Sequence, residues 1–231
     1  MSTRSPYKAT MIIAAQDWAE AAEQALLDET LKLAPVHGWT RRTAVLAGKA
    51  QGMSPGETEL LIPHGPADLA ALLSRRHDAR ALATLAEVHP SNLKIRERIR
   101  RAVEARLDAS AQDEPALRRW MGFLALPQNL ALGSRLAWES ADVLWRWAGD
   151  EATDENHYSK RAILAGILTG AMAIRMTAGR KEALEFADRR IENVMSLEKW
   201  KATTTIRPSR WLSGAAETLA RARYGSAPPQ A

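Results

Sequence analysis

Apolar residues along this chain recur at steps of three and four positions, as on amphipathic helices, and no segment alternates as a half-buried strand does. Capping and breaking residues divide this pattern into about nine to ten helices. Asp17 is the expected N-cap of the first helix, and Pro208 begins the last one. The sequence therefore predicts an all-α protein.

The stretch from Ala162 to Ile174 is apolar or small at every position, so as a helix it has no polar face. A bilayer span needs about 20 apolar residues, and Arg161 and Arg175 end the run before that length. We therefore expect a central helix that is buried on all sides. Gly166 and Gly170 lie on a stripe of small residues, which favours either close helix packing or a ligand cavity.

Two tryptophans, Trp138 and Trp145, lie seven residues apart on the helical face that also carries Leu130. Tryptophans at this spacing are typical of a core, but opposite the small-residue stripe they would form the wall of an apolar cavity. On that hypothesis three helices supply the residues that contact the ligand. These are Leu130, Trp138, Ala141, Trp145, Leu164, Ile167, Leu168, Gly170, Ala171, Met172, Val194 and Met195.

Two short helices near the N-terminus have the outline of a helix-turn-helix. Thr40 and Ser54 are their expected N-caps, and Gly52 lies in the turn between them. A DNA-reading helix needs donors for phosphates and bases, yet no Lys or Arg occurs from Met53 to Ala70. Contacts from Arg41, Arg42 and Lys49 would be the basis of DNA binding, which stays as the alternative interpretation.

Composition excludes several classes of chemistry. The chain has 231 residues, no cysteine and a formal charge of +5, so thiolate catalysis and cysteine-bound metals are excluded. The five histidines are scattered without metal-ligand spacing, and no glycine-rich phosphate loop is present. We expect no enzyme activity, no cofactor and no metal. The N-terminal segment lacks the apolar core of a secretory signal, which predicts a cytoplasmic protein.

The C-terminal segment is a basic amphipathic helix. From Lys199 to Tyr224 it carries six Lys or Arg and one acidic residue. This composition fits the surface of an anionic membrane, although docking on the domain or on a partner chain fits equally well. The residues expected to contact the membrane are Arg210, Trp211, Leu212, Leu219 and Arg221.

Four stretches together are similar to one known family. They are LKIRERIR, LALPQNLALG, WRWAGDEATDENHYSKRAILAG and DRRIENVM, within residues 17–200. They resemble the ubiquinone-biosynthesis lipid-binding family, the ninth coenzyme Q protein and its alphaproteobacterial relatives. The resemblance implies a TetR-like homodimer that has lost DNA binding and that holds an isoprenoid lipid or quinone intermediate. It also implies a non-catalytic role, presenting this ligand to the demethoxyubiquinone hydroxylase at the inner membrane.

The resemblance also implies a hydroxylase-binding patch, at His157, Tyr158, Lys160 and Arg161. The family motif reads D-F-N-W-Y-T-[RK]-R, and Tyr158, Lys160 and Arg161 match it. Glu155 and His157 stand where the family has aromatic residues. Aromatic side chains are frequent anchors of protein interfaces, so these departures leave the identity of the partner open.

The sequence predicts five segments. We expect a flexible N-terminus over 1–16, a helix-turn-helix-like subdomain over 17–66, a lipid-binding and dimerisation subdomain over 67–205, an amphipathic helix over 206–224 and a disordered tail over 225–231. The predicted function is a non-catalytic, peripheral-membrane accessory protein that binds a quinone intermediate. The alternative is a TetR-type, ligand-responsive transcriptional regulator.

Overall fold

A computed structural model describes the backbone of residues 6–150 and 155–203, and the side chains of residues 18–150 and 157–194. Two compact units make up the chain, Met1–Ile191 and Glu192–Ala231. The site described below lies entirely within the first unit. The predicted amphipathic helix over 206–224 and the tail over 225–231 lie outside the described residues.

The described residues form nine α-helices and no strand, which confirms the all-α prediction. The helices are α1 (Pro6–His37), α2 (Arg41–Ala50), α3 (Pro55–Leu61), α4 (Pro66–Leu85), α5 (Ile95–Ala111), α6 (Glu114–Leu124), α7 (Leu130–Trp147), α8 (Glu155–Ala178) and α9 (Arg180–Thr203). Two short 3₁₀ turns, Pro90–Asn92 and Pro127–Asn129, precede α5 and α7.

The first helix begins earlier than the sequence pattern suggested. Helix α1 starts at Pro6, so Asp17 lies inside it and is not its N-cap. Proline is well tolerated at the first position of a helix, and residues 8–16 contain no glycine or proline that would end one. Part of the segment predicted to be flexible is therefore helical.

The predicted caps of the two short helices are confirmed. The Thr40 side chain accepts a hydrogen bond from the Thr43 backbone N–H. Ser54 and Glu57 form a capping box, with each side chain bonded to the other residue's backbone N–H at 3.2 and 2.8 Å. Gly52, with φ at 75°, makes the turn between the helices.

The core of the first unit forms where α4 packs on α5, α1 on α2 and α7 on α8. Leucines of these helices that are fully buried include Leu26, Leu73, Leu107 and Leu144. Burying a leucine side chain contributes about 1.5–3 kcal/mol. This packing holds α4 to α8 around the cavity described below.

The expectation that α8 is buried on all sides is wrong. Leu164, Leu168 and Met172 are buried, but Ile163 is 39% exposed and Gly166 has open space beside its Cα. The exposed face carries mostly small residues, so it leaves little apolar area in water. By length and composition, the stretch His157–Ala178 is nevertheless apolar enough to cross a membrane.

Candidate ligand cavity

A cavity of about 350 Å³ lies among α4, α5, α6, α7 and α8. Pockets for small molecules in proteins are typically about 300–1,000 Å³ and mostly apolar. The lining residues are Ser74, Arg106, Trp120, Met121, Leu124, Ala125, Leu130, Gly133, Ser134, Leu136, Ala137, Ser140, Leu168, Thr169, Met172 and Ala173. Ten of these side chains are hydrocarbon, thioether or aromatic, so we call this space the apolar cavity.

The corner between α6 and α7 shapes one side of the apolar cavity. Pro127 begins the turn, and the Asn129 side-chain amide donates a hydrogen bond to the Phe123 carbonyl at 2.9 Å. The two helices are close at Gly133, where a Cβ would lie 3.5 Å from Leu124, at ordinary contact distance. The turn therefore fixes α7 against α6 and leaves the cavity between them and α8.

Trp120 is the aromatic residue of the lining, and its position is fixed by a hydrogen bond. Its indole N–H donates to the Ala70 carbonyl of α4 at 3.1 Å. A buried indole N–H needs such a partner. The ring also meets His77 edge-on, with the centroids 6.4 Å apart. Trp120 is therefore a rigid part of the cavity wall.

The cavity has a buried end and an exposed end. Ser74, Arg106 and Ser140 are nearly inaccessible to solvent, and Arg106 is only 4% exposed. Leu130, at the other extreme, is 54% exposed, and the lining residue Ser134 is exposed as well. A ligand would therefore enter past the start of α7.

The buried end is polar, and a hydrogen-bond network orders it. Arg106 Nε donates to Asp78 Oδ1 at 2.6 Å, and the same guanidinium bonds to the Ser110 and Ser74 hydroxyls. The Ser140 hydroxyl donates to the other Asp78 oxygen at 3.0 Å. Removing one partner from such a buried pair leaves an uncompensated charge. We call Ser74, Arg106 and Ser140 the polar end of the cavity.

His77 lies behind Trp120, next to the polar end. Burial lowers the pKa of His77 to about 4, although the hydrogen bond to Asp113 acts in the opposite direction. The ring is therefore neutral near pH 7, and its Nε2–H donates to Asp113 at 2.9 Å. Nδ1 is buried without a hydrogen-bond partner. An imidazole in this environment resists protonation.

Three of the predicted ligand-contacting residues line the apolar cavity: Leu130, Leu168 and Met172. Ala141, Leu164, Ile167 and Ala171 are instead buried in the helix core. Val194 is half-buried in the second unit, and the Met195 side chain lies outside the described residues.

The two tryptophans predicted to form the wall lie elsewhere. Trp138 packs against Tyr158, with ring centroids 6.1 Å apart. The Trp145 indole N–H donates to the Lys160 carbonyl at 3.0 Å, and the Lys160 ammonium lies over its ring. Both rings fix the start of α8 against α7 and are absent from the described cavity lining.

Gly170 faces α9 and is likewise absent from that lining. A Cβ at this position would come within 2.8 Å of the Phe186 ring. The two glycines of the small-residue stripe on α8 therefore have different surroundings. Gly170 allows packing against α9, whereas Gly166 lies on the exposed face.

The charged residues of the predicted hydroxylase patch have partners within the chain. Arg161 is 1% exposed and pairs with Asp142 at 2.5 Å and with Asp150 at 3.0 Å. Lys160 also pairs with Asp150, at 2.7 Å. Burial raises the pKa of Asp150, but the hydrogen bonds from Lys160 and Arg161 outweigh this and keep it below its ordinary value. We call these four residues the α7–α8 ion-pair cluster.

Tyr158 is the most exposed member of that patch, at 64%, and its ring meets His157 edge-on. The Tyr158 ring is therefore exposed at the surface, while the Arg161 guanidinium is buried. The residues predicted to bind membrane, Arg210, Trp211, Leu212, Leu219 and Arg221, lie outside the described residues.

The residues at the polar end were missed by the sequence interpretation, although the sequence carries a signal for them. Arg106 follows Ile99 and Val103 at helical steps of seven and three, so it lies on the apolar stripe of α5. Ser74 and Asp78 lie one turn apart on the buried face of α4. Polar residues on buried stripes of two helices predict a buried pair.

No group of three or more His, Asp or Glu side chains among the described residues is placed to hold a metal ion. The hydrogen-bonded residues at the polar end include one acid, Asp78, whose two oxygens accept bonds from Arg106 and Ser140. What this arrangement offers a ligand is an apolar enclosure with hydrogen-bond donors at one end.

Comparisons with known proteins agree with the family resemblance seen in the sequence. The COQ9 family model matches residues 130–198, which include α7, α8 and most of α9. The chain is 28% identical over 217 residues to a mitochondrial ubiquinone biosynthesis protein COQ9 of Rattus norvegicus, covering 87% of this chain and 68% of the relative. The COQ9-B protein of Xenopus laevis is 28% identical over 220 residues, covering 87% and 72%. The human COQ9 protein is 26% identical over 217 residues, covering 87% and 67%. The chain is therefore similar to COQ9 proteins over most of its length.

Proposed function

We propose that this chain is a non-catalytic accessory protein of ubiquinone biosynthesis that holds an isoprenoid lipid or quinone intermediate in the apolar cavity. It would present this intermediate to a membrane-associated hydroxylase. The observation that carries the proposal is the cavity itself, with its apolar walls, its buried end and its open side near Leu130.

The chemistry of the walls supports an isoprenoid ligand. Leu124, Leu136, Leu168 and Met172 offer flexible hydrocarbon and thioether surface but no donors. A prenyl chain has no hydrogen-bonding groups, and each buried methylene contributes about 0.8 kcal/mol. An apolar chain therefore binds such walls without polar contacts. The names of the relatives place them in ubiquinone biosynthesis, whose intermediates are isoprenoid quinones and phenols.

Homodimerisation through the exposed face of α8 is part of the proposal. This face carries Ala162, Ile163 and Gly166, and a second helix can approach closely where side chains are small. We expect Gly166→Leu to shift the protein toward monomer in analytical ultracentrifugation. A monomeric wild-type protein would contradict this part of the proposal.

We also propose a TetR-like arrangement of the helices. A further part of the proposal is that residues 206–224 contact the membrane. Replacing Trp211 by Glu should weaken binding to anionic liposomes and leave the thermal midpoint nearly unchanged, because tryptophan favours the membrane interface. A large drop in thermal stability would instead show that this segment is docked on the protein.

Lipid extraction tests the function directly. Purified protein is extracted with organic solvent, and the lipid is quantified by mass spectrometry against protein concentration. We expect an isoprenoid lipid or quinone with the wild type and little with Ala137→Phe, since Ala137 lines the cavity and the larger ring would fill it. The matched control is Ala131→Phe, on the same helix at an exposed position. Repeated absence of lipid from wild type and control would overturn the proposal.

A further inference from the structure

We propose that the polar end of the cavity binds the oxygen-bearing head of the ligand, a quinone carbonyl or a phenolic hydroxyl, while the isoprenoid chain runs outward toward Leu130. This inference rests on the proposed function and adds to it an orientation and a head-group class. It assigns Ser74, Arg106 and Ser140 as the residues that select the head.

Arg106 has hydrogen-bond donors that its network does not use. A guanidinium carries five N–H groups, and its bonds to Asp78, Ser110 and Ser74 use three of them. The bond to Ser74 is long, at 3.5 Å, so a ligand oxygen can compete for that hydrogen. Because Arg106 lines the cavity and is 4% exposed, a donor offered there acts in a nearly dry environment.

The two serines complete the set of polar groups at this end. The Ser140 hydroxyl gives its hydrogen to Asp78 and keeps its lone pairs, which can accept from a phenol. The Ser74 hydroxyl accepts the long bond from Arg106 and retains its own hydrogen for a ligand oxygen. The polar end therefore serves both a carbonyl oxygen and a hydroxyl group.

The charge at the polar end favours a neutral head. Asp78 neutralises Arg106 within the network, at 2.6 Å, and neighbouring His77 is neutral near pH 7. The other close ionic pair, Arg80 with Asp113, is also balanced. An anionic phosphate would be desolvated here without a net positive charge to compensate it, and burial of an unpaired charge is costly.

Burial fixes the direction of the ligand. Ser74, Arg106 and Ser140 lie at the closed end, while Leu130 and Ser134 border the open side. A head bonded to Arg106 is thus shielded from water, and the chain lies along the leucines and methionines. On this account the protein stores the ring inside, and transfer to an enzyme requires the ring to leave the polar end.

The test compares ligands with and without a head. Binding is measured for a benzoquinone with a short isoprenoid chain, for the hydrocarbon of the same chain length, and for the corresponding isoprenoid phosphate. We expect Ser74→Ala to weaken quinone binding about threefold to tenfold, the usual effect of one neutral hydrogen bond. Affinity for the hydrocarbon should stay unchanged. Ser91→Ala is the matched control, since this serine is exposed and lies outside the cavity lining, and it should change neither affinity.

A double variant tests Arg106 without leaving a buried charge. Arg106→Met combined with Asp78→Leu replaces the ion pair by apolar residues of similar volume, a change that proteins often tolerate. We expect it to lower quinone affinity at least about tenfold, because hydrogen bonds to charged groups are stronger, and to keep hydrocarbon binding. Circular dichroism checks its fold, and Ser74→Ala provides an independent test if the double variant does not fold.

The outcomes separate this inference from the proposed function. If the wild type binds quinone and hydrocarbon, but Ser74→Ala and the double variant leave quinone affinity unchanged, the head-group inference is overturned and lipid binding stands. If Ser74→Ala weakens phosphate binding more than quinone binding, the polar end selects anions and the inference is also overturned. If the wild type binds no probe, both proposals fail.

Discussion

Two buried arginines in this molecule have different surroundings, and the difference separates a candidate ligand contact from a structural contact. Arg106 at the polar end shares one carboxylate, Asp78, with the Ser140 hydroxyl. Arg161 lies between two carboxylates, Asp142 and Asp150. Two further cations, Arg146 and Lys160, also pair with those acids.

The two arginines also differ in their position relative to the cavity. Arg106 borders an open space and keeps unused donors, whereas Arg161 is enclosed between α7 and α8 and is absent from the described cavity lining. A buried charge alone therefore does not indicate a binding site. A binding site is indicated instead by a buried charged side chain that borders a cavity and has unused hydrogen-bond donors.

The largest effect is expected for Arg106→Met alone. Asp78 would lose its cationic partner and keep one hydrogen bond, from Ser140. Breaking a buried ion pair costs about 3–5 kcal/mol, so we expect the free energy of unfolding to fall by that amount in urea denaturation. Adding Asp78→Leu should recover most of the loss. A loss under about 1 kcal/mol in the single variant would show that Asp78 is well solvated and not held by Arg106.

A smaller effect is expected for Arg161→Met. Asp142 would still pair with Arg146 at 2.8 Å, and Asp150 with Lys160 at 2.7 Å. We expect a loss of about 2–3 kcal/mol in the same denaturation assay, less than the about 3–5 kcal/mol for a fully broken buried pair, because these cations remain. Quinone binding should not change. Loss of binding by a folded Arg161→Met protein would remove the distinction between the two arginines.

Mild acid should lower the folding stability through His77, beside the cavity, before it affects the ion-pair cluster. His77 has a folded-state pKa of about 4, below its unfolded value of 6.5, so the stability it contributes is present above pH 6.5 and is lost as the pH falls toward 4. We expect about 2 kcal/mol less stability at about pH 5 than at about pH 7. His77→Gln should remove most of this pH dependence.

The ion-pair cluster should respond only to stronger acid. The pKa of Asp150 is lowered from 3.8, so its contribution is present above that value and is lost as the pH falls further. Chemical denaturation across this pH range measures both effects. An equal loss of stability in His77→Gln between neutral and mildly acidic pH would contradict the assignment to His77.

The smallest effect is expected for Lys160→Met. Lys160 is partly exposed, and Asp150 keeps its bond to Arg161 when the ammonium is removed. We expect a loss of about 0.5–1 kcal/mol, the usual range for an accessible ion pair. Thermal denaturation at low and high salt would measure it, with the difference shrinking in salt. A loss as large as that of Arg161→Met would show that the cluster has no redundancy.

The sequence was sufficient to predict the local elements. Helical spacing predicted the all-α class, and Thr40, Ser54 and Gly52 marked the ends of α2 and α3 correctly. These signals act within a few residues of one another, so they do not depend on tertiary packing. The start of α1 was placed too late because a favourable N-cap at Asp17 also fits inside a helix.

The cavity was harder to predict because it depends on which helices meet. Sequence spacing placed Trp138 and Gly170 in the wall, yet packing turns the first toward Tyr158 and the second toward Phe186. Leu168 and Met172, which sequence spacing also placed in the wall, line the cavity because α8 faces it. Polar residues on the buried stripes of α4 and α5 indicate a buried pair, but no local pattern specifies that Ser140 of α7 joins it.

Photoaffinity labelling tests the central claim most directly. A prenylated benzoquinone with a photoreactive group at the end of its chain is bound and irradiated, and the labelled residues are identified by mass spectrometry. We expect labels near the open side, at Leu130 and Ser134, that are lost on adding unlabelled quinone and are absent in Ala137→Phe. Labels that lie outside the lining residues, or that persist in Ala137→Phe, would contradict the claim that this cavity holds the lipid.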